Sequence, residues 1–124
     1  FTLTKENEMT KYNEFKNGFN LDSDELANGF KMTFENGWTV SVQWSSFNYC
    51  ANREFQTITT QNRQCVNAEC AVWDTNGDWF KLTASDDVQG WMSPDEVAEL
   101  IARVQAFSPV LDGEAVDEVM TDWA

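Results

Sequence analysis

Phe30-Lys31-Met32-Thr33-Phe34-Glu35-Asn36-Gly37-Trp38-Thr39-Val40-Ser41-Val42-Gln43-Trp44 holds two alternating apolar and polar runs around an Asn-Gly pair. Such a pattern predicts a β-hairpin. Side chains along a strand alternate between two faces, so loop length decides which faces meet. A two-residue loop would pair Glu35 with Trp38 and send the two apolar sets to opposite faces. A three-residue loop, Glu35-Asn36-Gly37, pairs Phe34 with Trp38, Met32 with Val40 and Phe30 with Val42. One face is then continuously apolar, and Gly37 takes the left-handed position that such loops require. The three-residue loop is expected.

Downstream, a second hairpin is expected from about Glu69 to Thr83 around Asn76-Gly77, with Cys70-Ala71-Val72-Trp73 facing Trp79-Phe80-Lys81-Leu82. Its register is left open. Phe55-Gln56-Thr57-Ile58-Thr59 reads as one more strand between the hairpins. At Met92-Ser93-Pro94-Asp95-Glu96-Val97 the helix-start signals converge. Ser93 caps the first amides, Pro94 suits the first helical position, Glu96 completes a capping box, and Met92 and Val97 form a hydrophobic staple. Val97, Leu100, Ile101 and Val104 make an apolar stripe, and Pro109 bars continuation, so a helix of about 94–107 is predicted to lie on the sheet.

At the N-terminus, Met9, Tyr12 and Phe15 share one helical face and Gly18 stands where a helix ends, which fits a short helix of about 5–17 or an extended arm. Residues 21–29 read as a turn or one helical turn. In the tail, Val116, Val119, Met120 and Trp123 fall on one face of an acidic amphipathic helix, which closes the core of the domain or engages a partner. The expected fold is therefore α+β. A small antiparallel sheet built from hairpins carries a C-terminal amphipathic helix on one face, followed by a further acidic helical tail. The divisions are an arm at 1–29, a domain at 30–107 and a tail at 108–124.

A chain of 124 residues has room for one domain, and its 42% apolar content with nine Phe, six Trp and two Tyr can fill a core. No run is long enough to cross a bilayer, and the first residues lack the basic-then-apolar pattern of a signal peptide. Cys50, Cys65 and Cys70 are odd in number, which points to free thiols in a reducing, cytoplasmic setting, with a single disulfide as the alternative. The net charge of −13 is unevenly spread. Residues 64–124 hold thirteen acidic side chains against Lys81 and Arg103. That half repels phosphate backbones and anionic membranes and attracts basic surfaces.

Catalytic groups are scarce. With no histidine, the commonest general base is missing. Cys50 has Arg53 nearby, but a structural thiol is the simpler reading. A helix-loop-helix calcium loop starting at Asp74 would need glycine sixth and glutamate twelfth, whereas Gly77 comes fourth and Ser85 twelfth. A tight turn explains that segment, and neither a cofactor nor a metal is expected.

Two sets of residues qualify as a site. The first is an acidic partner-binding surface of Asp86, Asp87, Asp95, Glu96, Glu99, Asp112, Glu114, Asp117, Glu118 and Asp122. Rows of carboxylates of this kind can imitate nucleic-acid phosphates. The second is the polar segment 45–67, where Asn48, Tyr49, Asn52, Arg53 and Arg63 could hold a small anionic ligand such as a nucleotide. The bland reading of that segment is a solvated loop.

The run from Phe34 to Gln43, then Asn48-Tyr49-Cys50 and Asn52-Arg53, resembles a family of small phage-encoded proteins of unknown function that carry F-x-N-G-[YW]-T-V-S-V-Q, N-Y-C and N-R. Ala68 to Asp74 and the segment from Gly90-Trp91 into the helix are similar to the rest of that pattern, so the resemblance spans roughly residues 30–107. It implies action in the cytoplasm of an infected bacterium and supplies no catalytic residue. The leading expectation is a non-enzymatic phage accessory protein that binds and inhibits a basic, nucleic-acid-handling host or defence protein. It would touch neither nucleic acid nor membrane directly. The alternatives are a nucleotide-sequestering protein and a virion or assembly component.

Overall fold

The computed structural model describes residues 17–21, 28–54 and 63–110. The expected helix over about 5–17 (all but its last residue), the strand at 55–59 and the acidic tail helix from Leu111 onward lie outside these residues. So do the tail carboxylates Asp112, Glu114, Asp117, Glu118 and Asp122.

The described residues form one antiparallel sheet and one α-helix. In chain order come β1 (Gly18–Leu21), β2 (Gly29–Thr33), β3 (Thr39–Gln43), a 3-10 turn at Ala51–Glu54, β4 (Ala68–Trp73), β5 (Trp79–Phe80), β6 (Val88–Met92) and α1 (Pro94–Gln105). The strands lie in the order β1-β2-β3-β4, and β4 carries both β5 and β6 along its remaining edge. No helix among the described residues is long and apolar enough to cross a membrane.

The β2–β3 register pairs Phe30 with Val42, Met32 with Val40 and Thr33 with Thr39. That is the three-residue-loop register demanded by a continuous apolar face, and the Phe34 amide donates to the Trp38 carbonyl across it. Gly37 sits at φ 89°, where a side chain would be strained and would also collide with Thr75. Continuing across the sheet, Val40 faces Val72 and Val72 faces Phe80, so one apolar face spans three strands. α1 covers this face. Leu100 and Val104 are fully buried against Val40, Val42, Cys70, Val72 and Leu82, with Val97 and Ile101 at the margin.

α1 begins as its sequence predicts. The Ser93 hydroxyl accepts from the Glu96 amide at 3.2 Å and the Glu96 carboxylate accepts from the Ser93 amide at 2.8 Å. Its other end is held from a distance. Asn36, at the tip of the first hairpin, points Nδ2 at the carbonyls of Val104 (2.9 Å), Gln105 (3.2 Å) and Phe107 (2.9 Å). Beside it Trp38 packs edge-on against Phe80 and Phe107 and donates its indole N–H to Ser108. The hairpin tip thus supplies the C-terminal cap of the helix.

Two strands depart from the sequence reading. Gly18, read as a helix stop, opens β1, which pairs Phe19 with Met32 and extends the sheet before residue 30. Residues 88–92 form β6, for which no strand was expected. A register shift opposite Ala68–Cys70 and a left-handed backbone at Trp91 (φ 51°) break its alternation.

Candidate functional site

The polar segment after β3 folds by spending its side chains on its own backbone. Asn48 accepts from the Ser45 amide at 2.9 Å and donates to Glu69 at 2.9 Å. Asn52 is buried and donates to the carbonyls of Trp44 (2.8 Å) and Gln64 (3.1 Å). Arg63 donates to Asn28 at 2.7 Å, and Arg53 donates to the Phe47 carbonyl at 3.1 Å while its guanidinium lies 4.5 Å from the Tyr49 ring centre. These residues do come together, as the sequence reading of a site requires. Each of Asn48, Asn52, Arg53 and Arg63 makes at least one hydrogen bond that closes a loop, and among cavities bordered by described residues Asn48 and Arg63 border different ones. Only Arg63 borders the mostly apolar 620 Å³ cavity between Trp44, Val66 and Ile101.

The thiols are similarly structural. All three cysteines are free. Burial pushes the Cys50 thiol up from 9.0 to about 11, with Cys65 beside it adding to the rise, and burial pushes Cys70 to about 12. Protonated thiols are poor nucleophiles.

What remains open is an aromatic knob with an acidic rim. Trp91 is 57% exposed on a left-handed backbone, and its ring lies 5.7 Å from that of Tyr49. The Trp91 amide donates to the Tyr49 carbonyl at 2.8 Å, and a side chain at Gly90 would run into Tyr49, so β6 and the loop are in close contact. Immediately before β6 stand Asp86 and Asp87, and immediately after it Asp95, Glu96 and Glu99 on the first turns of α1. Four of these five are exposed and Asp87 is half-buried. Glu96 is partly engaged by the capping box; the others project from the loop and the helix.

No protein-family model, curated protein or solved structure matches this chain. Its function must therefore be argued from these surfaces.

Sequence reasoning missed the opposite face of the sheet. Because β2, β3 and β4 are in register, Thr33, Thr39, Trp73 and Trp79 share a row, and Lys31, Ser41, Ala71 and Val88 share the next. The Thr33 and Thr39 hydroxyls bond at 2.8 Å, and the Trp73 and Trp79 rings stack at 5.3 Å. Among the described residues no element covers this face, and two cavities of 560 and 340 Å³ lie on it. Asp74 borders the larger one. It is 2% exposed; Oδ1 accepts from the Asn76 and Asp78 amides at 2.8 and 3.0 Å, and Oδ2 has no hydrogen-bond partner. The Asp74–Asp78 segment is the expected tight turn. Among the described residues no three acidic or thiol side chains gather as a metal site.

Proposed function

We propose that this protein is a non-enzymatic acidic accessory protein of a phage, one that binds and inhibits a basic, nucleic-acid-handling host or defence protein. The observation that carries the reading is the surface around β6, where an exposed Trp91 lies in a segment preceded by Asp86 and Asp87 and followed by Asp95 and Glu99. Buried aromatic anchors provide most of the energy of protein interfaces, and surrounding charges set partner choice and association rate. Thirteen carboxylates against two cations in residues 64–124 select a basic partner. The alternative is a nucleotide-sequestering protein that uses Tyr49 together with Asn48, Asn52, Arg53 and Arg63, whose hydrogen bonds also close the loops of segment 45–67.

The test measures binding to a panel of basic nucleic-acid-binding proteins at 50 and 300 mM salt, with displacement of labelled nucleic acid read in parallel. The reading expects affinity to drop at least tenfold with salt and Trp91→Ala to weaken binding by about 2 kcal/mol or more. Binding indifferent to salt, or bound complexes that still hold their nucleic acid, would sink it.

A further inference from the structure

The polar face of the sheet, which no element among the described residues covers, has its own recognition chemistry. Its two cavities share Lys31 and Trp73 and together run from Asn20 on β1 to Val88 on β6. Neighbouring strands lie about 4.8 Å apart, so this trough across five strand positions is about 19 Å long, the span of roughly six residues of extended chain. Its outlet at Val88 and Asn48 adjoins Asp87 and Tyr49, so the trough and the surface around β6 are continuous.

The charge along the trough favours a cation. Among the described residues that border it, the carboxylates of Glu35, Asp74 and Glu69 stand against the single ammonium of Lys31. Asp74 is the deciding group. A carboxylate that is 2% exposed with one oxygen unpartnered is poorly compensated. Its field is weakly screened, so a cation brought near it lowers the energy of the folded protein. Trp79, 49% exposed, borders the smaller cavity and stacks on Trp73, which borders both cavities and precedes Asp74 in the chain. A guanidinium matches both features, because it is always charged and is planar enough to lie on an indole. Its N–H donors also suit the hydroxyl of half-buried Thr33, which borders the larger cavity.

We infer that the polar face of the sheet seats an extended, arginine-bearing peptide segment, with a guanidinium on the Trp73–Trp79 pair beside Asp74. The inference rests on the reading that the partner is basic and assigns the partner a second contact region, continuous with the first.

The experiment titrates the full-length ¹⁵N-labelled protein at low salt with a six-residue peptide of alternating arginine and serine, and with the same peptide carrying citrulline for arginine. The arginine peptide is expected to shift the Trp73 and Trp79 indole signals and the amides of Thr33, Thr39 and Asp74. The citrulline peptide should bind at least tenfold more weakly. Trp79→Ala, on a half-exposed side chain, should weaken the arginine peptide about tenfold, and the exposed Glu35→Gln about two- to fivefold. Equal binding of the two peptides overturns the inference. So do contacts between residues 1–16 of the chain itself and Trp79 that leave the peptide no effect. Shifts confined to Asp86, Asp87, Asp95 and Glu99 overturn the trough but leave the basic-partner reading standing. No binding by any basic peptide or protein removes both.

Discussion

Replacing Asn36 should unlock the helix from the sheet. Its Nδ2 faces three carbonyls at the end of α1, and an amide has two hydrogens, so two hydrogen bonds' worth of stabilisation is at stake there. Its Oδ1 accepts from the Trp38 amide at 3.0 Å. At about 1 kcal/mol net for each hydrogen bond, Asn36→Ala should cost about 2–3 kcal/mol. Asn36→Asp keeps the acceptor for Trp38 but turns a carboxylate towards the negative end of the helix dipole. It loses about 2 kcal/mol of donor bonds and adds about 0.3–1 kcal/mol of repulsion, so it should be about as damaging as the alanine although it keeps the acceptor. For a chain of this size, 2–3 kcal/mol lowers Tm by roughly 8–15 °C. Urea unfolding followed by tryptophan fluorescence measures the difference, with the slope m checked for constancy. The aspartate variant carries a further signature. Below about pH 4 the introduced carboxyl protonates and regains a donor, so its deficit relative to the parent should shrink. An Asn36→Asp protein within 0.5 kcal/mol of the parent at pH 7 would refute the capping role, as would a deficit that does not change with pH.

Gly37→Ala and Gly77→Ala form a matched pair. Both glycines have positive φ, but a side chain at Gly77 meets open space while one at Gly37 meets Thr75. The second change should cost about 1–2 kcal/mol for the left-handed backbone alone and the first clearly more, read from chemical denaturation. Ser93→Ala removes one side of the capping box and should cost about 1 kcal/mol, visible as a fall in Tm. At pH 8 a thiol reagent should modify half-buried Cys65 first and reach Cys50 and Cys70 only on unfolding, as followed by mass spectrometry. With folded-state values raised above the ordinary 9.0, the Cys50 and Cys70 thiols hold their protons longer in the folded state than in the unfolded one. Their contribution to stability is complete below about pH 9 and is lost as pH rises through about 11 for Cys50 and 12 for Cys70. Denaturation midpoints at pH 8, 9.5 and 10.5 should fall in that order.

The elements legible in the sequence were those whose causes are local. The first hairpin needs only alternation and an Asn-Gly at the right spacing, and the start of α1 needs only six consecutive residues. β1 and β6 stayed hidden for different reasons. Gly-Phe-Asn-Leu at 18–21 is too short to show alternation, and its strand character comes from pairing with β2. β6 has Gly90 at its centre and a bulged pairing with β4, so its pattern fits neither period. Of the site, the acidity was legible and the role of the polar segment was not. The bonds of Asn48, Asn52 and Arg63 to Glu69, Trp44 and Asn28 join residues 8 to 35 positions apart, which no local pattern reveals. The trough was invisible because its residues sit at alternate positions of separate strands and meet only once the register is known.

The divided edge beyond β4 bears on how the protein behaves at high concentration. A long straight edge strand invites copies of the same chain to add on and aggregate. Here that edge is broken into a two-residue piece and a five-residue piece, with residues 81–87 looping out between them. The loop ends in Asp86-Asp87, and the left-handed turn at Trp91 gives its amide to Tyr49. No uninterrupted run of backbone donors and acceptors is left along it for a second molecule to continue. The irregularity that hid β6 in the sequence therefore also guards this side of the sheet against polymerisation.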